Sequence, residues 1–290
     1  MFSGDFKKEK IQTSGALINV VHGGRGKPLL LLHGYPQTHI MWHKIAPELA
    51  DEFYLVIPDL RGYGDSTKPE STPDFSTYSK REMAKDSVEM MSELGFDEYL
   101  VAGHDRGGRV THRMALDHPY KIIKACVMDI APTHTMYTTT DKSFATGYYH
   151  WFFLIQPDNL PETLIVNNSE YYLKEKLKRW SGSKAEFDEE AVREYVRCFS
   201  QPETIHSTCN DYRASATIDI EHDERDFDKR IECPLLVLWG SQGFVHRRYN
   251  VLETWKAKAT KVTGKPIDCG HFLPEERPVE VLNELRNFFR

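Results

Sequence analysis

The sequence predicts an α/β fold: a mostly parallel sheet flanked by helices and interrupted by an inserted helical cap. Three observations carry this. Short apolar runs at 28–33 (PLLLLH), 53–58 (FYLVIP), 98–103 (EYLVAG), 122–130 (IIKACVMDI) and 233–239 (CPLLVLW) each end at a turn signal, as strands buried on both faces do. Longer helical patterns lie between them, the alternation expected of a sheet with helices on both faces. That alternation stops after residue 133 and resumes near 231, across a stretch rich in Tyr, Trp, Phe and charge.

Taken in chain order, alternating segments at 9–13 and 16–22 around Gly15 predict an edge hairpin. The run 28–33 leads into His33-Gly34-Tyr35-Pro36, and 53–58 is the next strand. Residues 76–95 read as a helix closed by Gly95. The strand 98–103 passes directly into a helix beginning RGGRV, and the strand 122–130 carries Asp129 at its end. Segments 143–155, 169–180, 188–200 and 202–213 favour helices. The strand 233–239 and a further one at 261–268 (KVTGKPID) complete the sheet. The expected division is a core of 1–133 and 231–290 with a helical cap of 134–230.

Composition narrows the function. The chain has 290 residues, 40% of them hydrophobic, enough for one large domain or a core with an insertion. Its 43 acidic and 37 basic residues, net charge −6, give no electrostatic footprint for nucleic acid or an anionic membrane. Any attraction for an anionic substrate must therefore be local. MFSGDFKKEK lacks the apolar region of a signal peptide, and no run of 18 apolar residues occurs. Cysteines 126, 198, 209, 233 and 269 are scattered without CxxC spacing, which suits reduced thiols and disfavours a zinc site. The expectation is a cytoplasmic protein with no metal and no cofactor.

Gly103-His104-Asp105-Arg106-Gly107 fits G-x-nucleophile-x-G with aspartate at the centre. The motif places its central residue on a strained strand-to-helix turn, and the surrounding strand and helix supply that context. The alternative is an aspartate that merely caps the helix. The loop at His33–Pro36 is where one backbone N–H of an oxyanion hole would sit, and Arg106 would supply the second. Gly270-His271-Phe272 follows the last strand, where a histidine can reach the turn. An orienting acid is expected after the strand that follows the cap, but Gln242 and Gly243 stand there. Asp129 takes the role instead.

An aspartate nucleophile restricts the chemistry. Attack on an acyl group would create a reactive anhydride, whereas attack on a saturated carbon displaces a leaving group and forms an alkyl ester. Water activated by a histidine then hydrolyses that ester. The leaving group is a halide or an epoxide oxygen. Arg106 and Arg109, three residues apart, can share a helix face and oppose the helix dipole, so an anion should compensate them. A substrate carboxylate would do so; protein carboxylates or solvent are the alternative.

The stretches HGYPQTHIMWHKIAPELA (33–50), DLRGYGDS (59–66), AGHDRGGRVTHRMALDHP (102–119), YYHWFFLIQP (148–157), NDYRASATIDIEHD (210–223) and GHFLPEE (270–276) resemble the haloacetate dehalogenases, including the fluoroacetate dehalogenases, of the α/β-hydrolase superfamily. The resemblance runs from about residue 10 onward. It implies Asp105 as nucleophile, His271 as base, Asp129 as its orienting acid, and Arg106 and Arg109 as ligands of the substrate carboxylate. It further implies a halide pocket of His150, Trp151 and Tyr212, with Trp180 and Tyr35 beside the substrate. Indole N–H, phenol O–H and imidazole N–H are all donors, which suits a departing halide. Tyr35 and Gly108 stand where Phe and Ala are common in that family. The family also suggests a homodimer acting on a small haloacid, with no nucleic acid or membrane partner. Two other readings stay open: an epoxide hydrolase using Tyr148, Tyr149 or Tyr212 as acids, and a non-catalytic binding protein, which the intact Asp105, Asp129 and His271 set disfavours.

Overall fold

The computed structural model describes residue 2 and residues 6–290. Its strands are β1 (Lys7–Gln12), β2 (Leu17–Gly24), β3 (Lys27–Leu32), β4 (Phe53–Pro58), β5 (Tyr99–His104), β6 (Ile122–Met128), β7 (Leu235–Gly240) and β8 (Val262–Ile267). They form one sheet in the order β1-β2-β4-β3-β5-β6-β7-β8. The hairpin β1–β2 pairs antiparallel and joins β4 antiparallel, while every pairing from β4 to β8 is parallel. Leu29, Leu30, Leu31 and Leu32 of β3 are completely buried. Each fully buried side chain of that kind contributes about 1.5–3 kcal/mol, so β3 anchors the middle of the sheet.

The order reverses at β3. From β3 the chain moves to β4 on one side, then crosses back to place β5 on the other. Such a reversal opens a crevice at the carboxyl ends of the two strands, where open α/β sheets bind ligands. The loop after β3 and the turn after β5 meet there.

The strand 53–58 lies as read, and the other strand ends differ from the sequence reading by at most two residues, with β6 closing at Met128 and leaving Asp129 outside it. The predicted helix 76–95 is a short 3₁₀ turn, Ser76–Tyr78, followed by the helix Lys80–Glu93. Ser79 separates them and caps the helix by accepting from Glu82 N–H. Helix 169–180 lies where the periodicity put it, and Glu189–Phe199 and Pro202–Ala216 differ only at their ends. The segment 143–155 is instead two short helices, Lys142–Gly147 and His150–Phe153. Gly147 packs against the Phe244 ring, where a Cβ would collide. Helices Thr133–Thr138, Leu160–Val166 and Ile218–Arg225 were not anticipated; all are short, and their apolar positions are too few for a clear period.

Among the described residues no helix is long and apolar enough to cross a membrane. No cluster of three or more His, Cys, Asp or Glu suited to a metal ion occurs among them either. All five cysteines are free.

Candidate active site

Asp105 follows β5 directly and sits at φ 48°, in the left-handed region that side chains rarely adopt. That strain turns its carboxylate out of the sheet and starts the helix Arg106–Asp117. Close packing permits the turn. A Cβ on Gly107 would strike the carbonyl oxygens of Leu32 and His33, and one on Gly34 would strike the Asp105 side chain. The approach at Gly34 has a consequence: Tyr35 N–H donates to Asp105 Oδ1 at 2.8 Å. Arg106 N–H, in the first turn, has no intrahelical acceptor.

His271 lies on the loop after β8. Its Nδ1 is 2.6 Å from Asp129 Oδ2, and its Nε2 is 3.9 Å from Asp105 Oδ2. The first contact is a short hydrogen bond and the second is too long for one. Donation of Nδ1–H to Asp129 leaves the Nε2 lone pair facing Asp105. Asp129, at φ 51°, also accepts from Gly240 N–H at 2.9 Å. A Cβ on Gly243 would come to 3.4 Å of the same carboxylate, so the loop after β7 leaves room for an acid arriving from β6. Burial would lower the His271 pKa, but the hydrogen bond and charge of Asp129 outweigh it and raise the group above its ordinary value. Burial would raise Asp105; His271, His104, Arg106 and Arg109 together hold it low and ionised.

The histidine loop is stapled in place. Glu276 accepts from Gly270 N–H and Phe272 N–H, both at 2.9 Å, and from Gly182 N–H, just after the helix Ser169–Trp180, at 2.8 Å. His271 N–H itself donates to the Trp180 carbonyl at 2.8 Å. The end of the helix Ser169–Trp180 and the base are thereby tied together.

The two arginines have different partners. Arg106 forks onto Asp211, with Nε to Oδ2 at 2.8 Å and Nη2 to Oδ1 at 2.7 Å. Asp211 also accepts from Tyr63 O–H at 2.6 Å and from Lys80 Nζ. The anion that the sequence reading sought for Arg106 is therefore, in the first place, a protein carboxylate. Burial alone would raise the Asp211 pKa; the Arg106 and Lys80 charges overcome it and keep the group ionised. Arg109 has no carboxylate partner among the described residues. It donates from Nη1 to Ala131 O at 3.1 Å and Thr133 Oγ1 at 2.9 Å, and its guanidinium lies 4.7 Å over the Trp151 ring. One buried atom on each arginine, Arg106 Nη1 and Arg109 Nε, has no hydrogen-bond partner among the described residues.

The remaining expected residues gather over this floor. Tyr212 packs under Arg106 at 4.2 Å and edge-on to Tyr35 at 5.3 Å. His150 is 5.6 Å from the Tyr212 ring and 4.6 Å from Trp180, which stands 5.5 Å from His271. Trp151 lies 6.4 Å from Tyr212. The Tyr35 hydroxyl is buried without a hydrogen-bond partner among the described residues. Of the tyrosines considered as acids, Tyr149 is half-exposed and its hydroxyl accepts from Lys176 at 2.8 Å, so it is engaged elsewhere. A cleft of about 490 Å³ reaches Asp129 and His271 past Tyr148, Trp180 and Phe244. A larger groove of about 580 Å³, beside Phe6, His39 and Arg197, contains none of these residues.

Asp211 and Glu276 were not singled out from the sequence. A signal existed for Asp211: the helix Pro202–Ala216 carries Ser207, Thr208, Asn210, Asp211, Arg213 and Ser215, all buried, and thus has no consistent polar face.

An aspartate on a strained turn, a backbone donor on its carboxylate, and a histidine oriented by a second aspartate define the class. The chain belongs to the alpha/beta hydrolase fold family, whose model matches residues 27–278. It is 41% identical over 289 residues to a fluoroacetate dehalogenase of Burkholderia sp., covering 99% of this chain and 95% of that protein. It is 33% identical over 294 residues to a soluble epoxide hydrolase of Corynebacterium sp. (strain C12), covering 99% and 98%. The crystal structure of a Nostoc sp. PCC 7120 protein assigned to the alpha/beta hydrolases superposes with a TM-score of 0.97 at 58% identity, covering 98% of each chain.

Proposed function

We propose that this hydrolase dehalogenates short 2-haloacids, with haloacetate as the type substrate. The observation that carries the reading is the pair of unpartnered, buried guanidinium atoms, Arg106 Nη1 and Arg109 Nε, on the helix that Asp105 begins. Arg109 is a buried cation with no carboxylate partner among the described residues, which is costly, and Arg106 keeps one N–H free beyond its pair with Asp211; a substrate carboxylate offers one oxygen to each. A substrate so held brings its α-carbon toward the adjacent nucleophile. The Burkholderia fluoroacetate dehalogenase relative points the same way.

In this mechanism Asp105 attacks the α-carbon, the carbon–halogen bond breaks, and its electron pair leaves with the halide. His150, Trp151 and Tyr212 donate to the departing anion. Water then loses a proton to His271 Nε2 and attacks the Asp105 ester carbonyl. Tyr35 N–H and Arg106 N–H hold the resulting oxyanion, and collapse returns Asp105 and releases the hydroxyacid. Halide and one proton leave for solvent.

An epoxide hydrolase is the second reading, favoured by Tyr212 beside Asp105, whose charge adds to burial in raising the phenol pKa. Such a tyrosine stays protonated and could donate to an epoxide oxygen. Halide release from fluoro-, chloro- and bromoacetate, set beside hydrolysis of styrene oxide, decides between them. Turnover of styrene oxide with no halide release from any haloacetate would sink the dehalogenase reading.

A further inference from the structure

Lys176, in the middle of the cap helix Ser169–Trp180, is only 2% exposed. Its Nζ donates to Tyr149 Oη at 2.8 Å and lies over three rings: Tyr149 at 4.0 Å, Tyr172 at 4.9 Å and Trp180 at 5.1 Å. Among the described residues no carboxylate reaches it. Lys80 is the contrast within the same molecule: equally buried, it is paired with Asp211 and Asp219. Buried lysines of structural purpose are paired as Lys80 is. An aromatic cage stabilises an ammonium but does not neutralise it.

The position is informative. Trp180 is shared: Lys176 lies against its ring, and the His150 ring is 4.6 Å from it. Tyr149, which holds Nζ, immediately precedes His150. The two buried arginines of the elbow helix have other surroundings: Arg106 is offset by Asp211, and Arg109 donates to Ala131 O and Thr133 Oγ1. Burial, and after it the Lys176 charge, push His150 well below its ordinary pKa, so that the ring is neutral. The leaving-group side thus consists of neutral donors, with Arg109 over Trp151 on the elbow-helix side and the Lys176 ammonium, which has no carboxylate partner among the described residues, on the side of Trp180.

We propose that Lys176 is a positioning residue for the leaving group, its ammonium acting through His150 and Trp180 as the counter-charge of the departing halide. This rests on the dehalogenase reading. Lys176 exchanges no proton and forms no bond with substrate; the halide leaves with the electron pair of the broken carbon–halogen bond. In general an ammonium and a halide on the order of 8 Å apart attract, at an effective dielectric near 20, by an amount that corresponds to roughly 30-fold in rate. Fluoride has the least stable departing anion of the series and depends on it most.

The groups facing Nζ are Tyr149 and His150 before it in the chain, and Tyr172, Arg179 and Trp180 on its own helix. Glu175 is tied to Arg179, and Glu162 on the packed helix Leu160–Val166 is tied to Arg213. Burial, with a smaller contribution from Arg179, lowers the ammonium to about 7. The charge is therefore present below that pH and lost above it.

The test is single-turnover alkylation of wild type, Lys176→Met and Lys176→Arg by fluoro-, chloro- and bromoacetate from pH 5.5 to 9. The expected result is a loss in Lys176→Met of roughly 30-fold on fluoroacetate, smaller on chloroacetate and under about 5-fold on bromoacetate. Lys176→Arg should restore the rate and stay flat in the range where wild type declines. His271 titrates in every variant, so the difference between the wild-type and arginine profiles isolates Lys176. Equal losses on all three halides, or an arginine variant behaving like the methionine one, would overturn the proposal. Absence of halide release by wild type from bromoacetate would overturn the dehalogenase reading and this inference with it.

Discussion

Replacing Asp211 with asparagine keeps the shape of the side chain and removes its charge. In the folded protein that carboxylate receives two hydrogen bonds from Arg106, one from Tyr63 and one from Lys80, all with side chains at most 4% exposed where they form ion pairs. The variant leaves two buried cations facing an amide, with Asp219, 3.5 Å from Lys80, as the remaining ion-pair partner of Lys80 among the described residues. Breaking a buried pair by removing one partner costs about 3–5 kcal/mol. Asparagine retains one acceptor for Arg106, which places the cost near the lower end, about 3 kcal/mol. At about 2–4 °C per kcal/mol for a domain of this size, the melting temperature should fall by about 6–12 °C. Arg106 also loses the fork that aims its free Nη1, so KM for a haloacetate should rise roughly tenfold, equivalent to one charge-assisted contact of about 1.4 kcal/mol. Thermal unfolding followed by circular dichroism, with steady-state halide release below the transition, measures both. A melting temperature within 1 °C of wild type together with an unchanged KM would show that Asp211 neither holds Arg106 nor ties the helix Pro202–Ala216 to the helices that carry Arg106 and Lys80.

Other predictions follow from the same geometry. Arg109→Ala should lower kcat/KM for haloacetates by about 2–4 kcal/mol in transition-state free energy, and activity on haloacetamide much less; equal losses on both would make the arginine structural. Tyr212→Phe keeps the ring under Arg106 and removes one donor, so alkylation by fluoroacetate should slow by about 1–3 kcal/mol and by bromoacetate clearly less. Equal factors would remove Tyr212 from the halide pocket. Because Asp129 raises the His271 pKa above its ordinary value, the ester-hydrolysis step should accelerate as pH rises through that raised value, where the neutral base accumulates. A hydrolysis rate that is flat from pH 5.5 to 9 would contradict the assignment of His271 as base.

Much of this was legible in the chain, and for identifiable reasons. Parallel strands buried on both faces produce uninterrupted apolar runs, so β3 to β7 announce themselves without an alignment. The elbow is legible because a strained turn between strand and helix needs small residues beside it, and Gly34, Gly103 and Gly107 meet backbone or the Asp105 side chain where a Cβ would stand. Asp129 could be reached by elimination, since the loop after β7 offers Gln242 and Gly243 instead of an acid. The cap was less readable. Its helices bury polar residues among aromatics, which erases the period that marks a surface helix. For the same reason the Arg106–Asp211–Lys80 cluster stayed hidden: its members lie far apart in sequence, on the elbow helix, the cap and the helix after β4. The inference that two arginines in a first turn need an anion was sound as physics. It did not reveal that one of them already has it.

The central claim is that Asp105 forms a covalent ester, which His271 then removes. His271→Ala incubated with bromoacetate and examined by intact-protein and peptide mass spectrometry tests this most directly, because alkylation requires no base whereas hydrolysis does. The account predicts that the protein gains the mass of the substrate less halide, on the peptide bearing Asp105, with one equivalent of bromide released. An unmodified Asp105 under conditions in which wild type turns over, or an adduct confined to another residue, would contradict it.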